Sequence, residues 1–214
     1  VRMPDGRILH YYPPQPVAFN LIEAKRHRDK GVPQRRNLIG NLSLLETDSG
    51  QRHYVPVNST AVLDCLSELV GAVLHSFTAI ESLANHTIDE LDDDANIYVE
   101  RDGGPIEIVQ AQMVRRLSIA EKLEHAVPLH PRGEATKGTA AWERFVHLRR
   151  LRDDIVHVKD RGYSTDPDAP SAYGKLMLGA GDRCVEEAAN LVYAARPGFL
   201  GDHVVAALER GSRR

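Results

Sequence analysis

Arg152 and His157, five positions apart, form the pair of side chains in this sequence that is best suited to chemistry. Arginine carries a permanent charge and a planar set of donors that fits phosphate oxygens. Histidine can accept or donate a proton near neutral pH. Such a pair could stabilise an anionic group while a proton is transferred, provided that the surrounding elements bring the two side chains to one place.

Arg152 belongs to a helix that we predict from residue 139 to about residue 159, with a strongly basic polar side. At about 100° per residue, Arg152 lies about 40° from Leu148 and therefore points toward the apolar face. Arginine is almost never buried without a partner. The apolar residues of this helix are Phe145, Leu148, Leu151 and Ile155.

A complementary charge lies on a second long helix, which we predict from residue 60 to about residue 91. Glu81 lies about 40° from Phe77, within or at the edge of the apolar stripe, and Asn85 follows one turn later. An ionised carboxylate in a protein interior is costly unless it is paired. We therefore predict that Glu81 and Arg152 form an ion pair, with Asn85 completing its hydrogen bonds. The alternative is that Glu81 and Asn85 lie on the rim and reach water.

The residues before this helix predict a linker, a short helix and a β-hairpin. The linker is the proline-rich stretch 11–16, and the short helix spans about residues 17–30. The strands are predicted at 38–47 and 52–57, because Asp48-Ser49-Gly50 between them is typical of a turn.

The remaining elements are also predicted from local signals. A small second hairpin is expected at 96–109, around Asp102-Gly103-Gly104. Ser118 and Glu121 form a capping box, which starts a helix that Pro128 ends. A long loop is predicted at 162–181, because this stretch is rich in Pro, Ser, Asp and Gly. Two further helices are expected at about 182–196 and 202–210.

The composition is that of a globular protein of one or two domains, of which one is the simpler interpretation. The chain has 214 residues and a formal net charge of -3, so an RNA contact would need a local basic cluster. The longest apolar runs are too short to cross a bilayer, and no secretion signal is evident. Cys65 and Cys184 lack metal or redox spacing. We expect a cytoplasmic protein with no membrane contact, no metal and no cofactor.

The run Arg152-Asp153-Asp154-Ile155-Val156-His157 resembles the signature of the HEPN superfamily, which is Arg, then Asn, Asp or His, then three residues and His. This superfamily consists of helical domains and includes many metal-independent endoribonucleases. The order of elements over residues 59–210 is similar too. It comprises Glu81-Ser82-Leu83-Ala84-Asn85 on an early long helix, Leu117 to Leu123, a break with proline, and Trp142 to Leu151 leading into the motif.

The resemblance implies a mainly α fold, namely a HEPN-like up-and-down helical bundle with an N-terminal β-hairpin and a small second hairpin. The chain would then divide into an N-terminal extension, residues 1–57, and a helical domain, residues 58–214. The resemblance also implies a homodimer in which the two motif helices face each other.

The activity implied by the resemblance is RNA cleavage without a metal, through attack by the ribose 2′-OH. His157 would act as general acid or base, Arg152 would stabilise the phosphorane, and Asp153 would orient one of them. The products would be a 2′,3′-cyclic phosphate and a 5′-hydroxyl. Basic residues that could hold RNA phosphate are Arg149, Arg150 and Lys159.

Two other interpretations of the motif remain. Arg152 could be only a structural partner of Glu81, with His157 favoured at a helix end by the helix dipole. The domain could also be a catalytically silent dimeric module for protein or nucleotide binding. Toxins of the superfamily often have Tyr two residues after the histidine, where this chain has Lys159. A toxin or phage-defence role, with an antitoxin or defence-system partner, is a further expectation from the resemblance, and Lys159 is a departure from the toxin pattern.

Overall fold

The computed structural model describes residues 14–46, 52–157 and 170–210. The protein is mainly helical with two small antiparallel hairpins, which confirms the predicted class. The helices are α1 (Pro16–Gly40), α2 (Ser59–Asp89), α3 (Gln110–Arg116), α4 (Ile119–Glu121), α5 (Ala140–Val156), α6 (Ala172–Met177), α7 (Cys184–Ala195) and α8 (Asp202–Glu209). The strands are β1 (Leu42–Glu46), β2 (Arg52–Pro56), β3 (Asn96–Arg101) and β4 (Gly104–Val109).

α2 is the central helix, and the predicted N-cap is present. The side chain of Asn58 accepts a hydrogen bond from the backbone N–H of Ala61 at 3.1 Å. α1, α5 and α7 pack against its apolar face, so that residues such as Leu69, Val73 and Ile80 are fully buried. Among the described residues, α2 is also the one helix whose length and composition would suit a membrane span. The core helix of a helical bundle has the same character.

α1 is much longer than the helix predicted at 17–30. It continues to Gly40 and thus includes the first residues of the strand predicted at 38–47. Packing explains the difference, because α1 buries its apolar residues in the core that also contains α2, α5 and α7. Gly31 permits the close approach to α2, since a Cβ there would lie 2.9 Å from Cδ2 of Leu69. Residues 16–40 thus belong to the helical body, while the division at residue 57 stays a prediction.

The basic residues of α1 bind acidic residues of the C-terminal part. Arg28 donates to Glu186 on α7, and Arg35 donates to both carboxylate oxygens of Asp182. The guanidinium groups are almost buried, with 10% and 9% of the side chain exposed. Hydrogen bonds to charged groups contribute more than neutral ones. These pairs therefore help to extend α1 beyond the point at which its sequence pattern predicts an end.

The predicted loop at 162–181 contains a short helix, α6, which is a second difference from the prediction. Ser171 caps it by accepting a hydrogen bond from the N–H of Gly174 at 3.1 Å. Ala172 and Leu176 are buried against the core, and this tertiary contact is absent from the local composition that predicted a loop. Residues 162–169 of the predicted loop lie outside the described residues.

A smaller apolar cluster joins the end of α2 to the second hairpin and to α3. The hairpin has the predicted turn, with Arg101 opposite Gly104. Ile97 and Ile108 pack with Ile88 and Met113 in this cluster. The predicted capping box at Ser118 and Glu121 is present, and a π-helical turn over Lys122–Ala126 continues the chain after α4.

Stability should depend on the ionisation of Glu121. Burial alone would raise its pKa, but hydrogen bonds from Arg101 and from the backbone N–H of Ser118 lower the pKa to about 2. The carboxylate therefore stabilises the fold above its unfolded pKa near 4.5, and this contribution is lost as the pH falls toward 2. Glu121→Gln should lower the free energy of unfolding by roughly 1 kcal/mol at pH 7.

Urea denaturation measures the free energy of unfolding of the wild type and of Glu121→Gln. The series runs from pH 7 to the lowest pH at which the wild type stays folded. The difference between the two proteins should shrink steadily below pH 4.5. A difference that does not change with pH would show that the ion pair contributes nothing.

Candidate functional site

α5 carries the motif from Arg152 to Val156, and it ends one residue before His157. Its N-cap is Thr139, whose hydroxyl accepts from the N–H of Trp142 at 3.2 Å. The last helical residue is Val156, and His157 is the C-cap with non-helical backbone angles. On a straight helix, residues five apart diverge by about 140°. Because His157 lies past the helical end, this divergence does not fix the direction of its side chain.

His157 is exposed, and its backbone is tied to Asp153. The N–H of His157 donates to the carbonyl oxygen of Asp153 at 2.9 Å. The carboxylate of Asp153 in turn accepts a hydrogen bond from Nη1 of Arg152 at 2.8 Å. Asp153 thus contacts both predicted catalytic residues, one through its backbone and the other through its side chain.

The predicted ion pair between Glu81 and Arg152 is wrong. Among the ion pairs of the described residues, the partner of Arg152 is Asp153. The guanidinium lies over the ring of Phe77, with Cζ 4.6 Å from the ring centroid. Phe77 is one turn before Glu81, so the aromatic ring takes the place at α2 that the carboxylate was expected to fill. Arg152 keeps 30% of its side chain exposed.

The buried cation beside Glu81 and Asn85 is Lys122. Its Nζ donates to Oδ1 of Asn85 at 2.7 Å, and the residue is 3% exposed. Burial lowers the pKa of Lys122, and the carboxylates of Glu81 and Asp89 partly oppose this. Lys122 was not among the predicted site residues. Its position three residues after the apolar Ile119 places it on the inner face of a helix, which is a signal that the sequence contains.

The basic residues of α5 do not form one patch, because consecutive helical residues point about 100° apart. Nε of Arg149 lies 3.9 Å from Oδ2 of Asp153, on the flank of Arg152. Arg150 instead lines an open cleft of about 400 Å³ on the other flank, toward α6 and α7. Lys159, the third predicted RNA contact, lies outside the described residues.

The cleft beside Arg150 has mixed charge. Asp154 in its wall accepts a hydrogen bond from Lys175 of α6 at 2.6 Å. Burial raises the pKa of Glu187 on α7, which also lines the cleft, while the positive charge of Arg183 partly opposes this. A bound anion would meet the carboxylates of Asp154 and Glu187 here, whereas beside Arg152 it would meet that of Asp153.

A second cluster of polar residues, which the sequence analysis missed, lies at the end of α2. Arg196 is 7% exposed at its side chain and donates to Oε2 of Glu90 at 2.9 Å and to the hydroxyl of Thr87 at 3.1 Å. His130 and His86 lie 3.5 and 3.4 Å from the same carboxylate. These contacts connect the end of α7, through Arg196, and the loop after the π-helical turn, through His130, to the end of α2.

Metal binding has no geometric support in the part of the chain that the structure describes. No group of three or more His, Cys, Asp or Glu side chains there is arranged to hold a metal ion. At Glu90, the guanidinium of Arg196 already supplies the positive charge. The thiol of Cys184 is completely buried, and this burial raises its pKa to about 12, so it is not a reactive nucleophile.

No family model, curated protein or solved structure matches this chain. The resemblance to the HEPN superfamily therefore depends on the motif and on the order of elements alone.

Substitution of Lys122 tests the polar contact under α2. Lys122→Ala should lower the free energy of unfolding by about 3 kcal/mol, because Asn85 loses its buried donor, Glu81 loses a nearby positive charge and a cavity remains. Lys122→Met keeps most of the volume but also leaves Asn85 without its donor, so it should lose less than Lys122→Ala only by the about 1 to 2 kcal/mol that the cavity costs.

Chemical denaturation of the three proteins provides the comparison. Equal losses for Lys122→Ala and Lys122→Met would show that the charge, rather than the side-chain volume, is required at this position.

Proposed function

We propose that this protein is a metal-independent endoribonuclease with a HEPN-like helical bundle, active as a homodimer. The observation that supports this is the environment of Arg152. Its guanidinium is not used in a buried ion pair with Glu81, and apart from Nη1 its donors have no hydrogen-bond partner among the described residues. An arginine held in place with free donors is suited to bind phosphate.

The reaction needs two proton transfers and stabilisation of a dianionic phosphorane. The 2′-oxygen attacks phosphorus after losing its proton to a base, and the bond from phosphorus to the 5′-oxygen breaks as that oxygen receives a proton. His157 supplies the acid or base, and Arg152 neutralises the charge that develops. The products are a 2′,3′-cyclic phosphate and a 5′-hydroxyl, so the atoms balance without water or a metal.

A dimer supplies the second histidine. Each chain contributes one His157, whereas the reaction uses one base and one acid. In the proposed assembly the C-terminal ends of two α5 helices face each other, so that two Arg152 and two His157 line one cleft. Val156, next to His157, is an apolar residue with 49% of its surface exposed, and contact with a second copy would bury it.

RNA cleavage in the presence of EDTA is the direct test. Wild-type protein should cut a generic single-stranded RNA and leave a 2′,3′-cyclic phosphate end. His157→Ala should reduce the rate by about 10² to 10⁴-fold, because it removes a general acid or base. Arg152→Lys should also lose most of the cleavage activity, because an ammonium group cannot reproduce the planar donor set of arginine. Gel analysis of end-labelled RNA measures the cleavage rates of the wild type and of both variants.

Two controls make the test specific. His203→Ala removes an exposed histidine on α8 and should keep full activity. DNA, or RNA methylated at the 2′-oxygen, should resist cleavage, since neither has the attacking hydroxyl. Cleavage of DNA at the same rate, or full activity of His157→Ala, would show that the proposed mechanism is wrong.

Sedimentation velocity tests the dimer. The wild type should sediment as a dimer at micromolar concentration, and Val156→Asp should weaken association at least about tenfold, because it places a charge in the proposed interface. Tyr193→Ser, which changes an exposed residue on α7, is the matched control and should remain dimeric. A wild-type protein that is only monomeric would contradict the two-chain active site.

A further inference from the structure

Phe77 is a buried aromatic residue directly under the guanidinium of Arg152. Its relative exposure is 4%, and its ring centroid lies 4.6 Å from Cζ of Arg152. The ring stacks nearly parallel to that of Phe145, with centroids 6.3 Å apart and planes at 15°. Phe145 in turn contacts Trp142 at 5.3 Å. The ring of Phe77 thus belongs to a row of aromatic residues that connects α2 and α5.

Arg152 is restrained from two directions. The ring of Phe77 attracts the cation at one face through its quadrupole, and Asp153 accepts a hydrogen bond from Nη1. A guanidinium has several further N–H donors in the same plane. Because the plane is held, these donors keep a defined direction, whereas the donors of a freely rotating arginine on the surface would not.

We propose that Phe77 is a positioning residue, which presents the free donors of Arg152 to a phosphate group of RNA. That the phosphate belongs to RNA rests on the proposed function. The positioning itself concerns a phosphate and a guanidinium, and inorganic phosphate is therefore a sufficient probe. Phe77 does not touch the reacting atoms and acts only through Arg152.

The first experiment follows the Nε–Hε signal of Arg152 by NMR, assigned by its loss in Arg152→Lys. In the wild type the ring current of Phe77 should shift this signal, and inorganic phosphate should shift it further on titration. Phe77→Leu keeps an apolar side chain in the core but removes the π face. It should abolish the ring-current shift and weaken phosphate binding about 3- to 30-fold. Phe77→Tyr should behave like the wild type.

A control separates this effect from loosening of the core. Phe145→Leu removes an aromatic ring from the same row but leaves Phe77 against Arg152. It should change phosphate binding less than about twofold, in a protein that circular dichroism shows to be folded. If Phe145→Leu weakens binding as much as Phe77→Leu does, or if Phe77→Leu binds phosphate like the wild type, Phe77 is only a core residue and the proposal is wrong.

The second experiment measures RNA cleavage by the same variants. Phe77→Leu should lower kcat about 3- to 30-fold with a smaller change in KM, because the orientation of Arg152 matters most when charge develops on the phosphorane. If the wild type cleaves RNA and Phe77→Leu has an unchanged kcat, the positioning role is overturned while the ribonuclease stands. If the wild type cleaves nothing but the NMR result is as expected, the ribonuclease proposal fails and the positioning of Arg152 is supported.

Discussion

The packing of α2 against α1, α5 and α7 positions the described residues of the candidate site. α2 contributes Phe77 to the side of α5 and Asn85 to the π-helical turn, while its end carries Thr87 and Glu90. The three neighbouring helices are brought close by small residues and fully buried apolar ones, such as Gly31 and Leu69 between α1 and α2. A shift of α2 by one residue would therefore change several polar contacts together.

Cations on the inner faces of the helices are matched individually by partners. Arg28 and Arg35 bind acidic residues near α7, Lys122 binds Asn85, and Arg196 binds Glu90. Removing one partner from such a contact leaves an uncompensated charge, so these contacts favour one arrangement of the helices over others. Arg152 differs from them, because its restraint combines an aromatic face with a neighbouring carboxylate and leaves part of the group in water.

Local signals predicted the elements well, and long-range contacts were the source of each error. The cap at Asn58, the box at Ser118 and the turn of the second hairpin depend on residues close in sequence, and they were correct, while the predicted turn at Asp48-Ser49-Gly50 lies outside the described residues. The length of α1 depends on partners about 150 residues away, which no local pattern contains. The same limit applies to α6, whose residues become helical where they meet the core.

The candidate site shows this limit most clearly. Helical periodicity correctly placed Glu81 and Arg152 toward the interior side of their helices. Periodicity gives the direction of a side chain but not the identity of the residue opposite. Arg152 pairs with Asp153, and the cation near Glu81 is Lys122, which donates to Asn85. The exposure of His157 could not be predicted from the sequence either. It depends on where α5 ends, and the helix was predicted to continue to about residue 159.

The end of α5 has a consequence for the length of the motif. The N–H of His157 closes the last turn on the carbonyl of Asp153, which is the residue whose carboxylate holds Arg152. The number of residues between arginine and histidine is therefore set by the geometry of one helical turn. Removing or adding a residue in this turn would give the final hydrogen bond a different donor, and it would move the histidine away from the position directly after the end of α5. The length of this turn is therefore a constraint in addition to the contacts of its side chains.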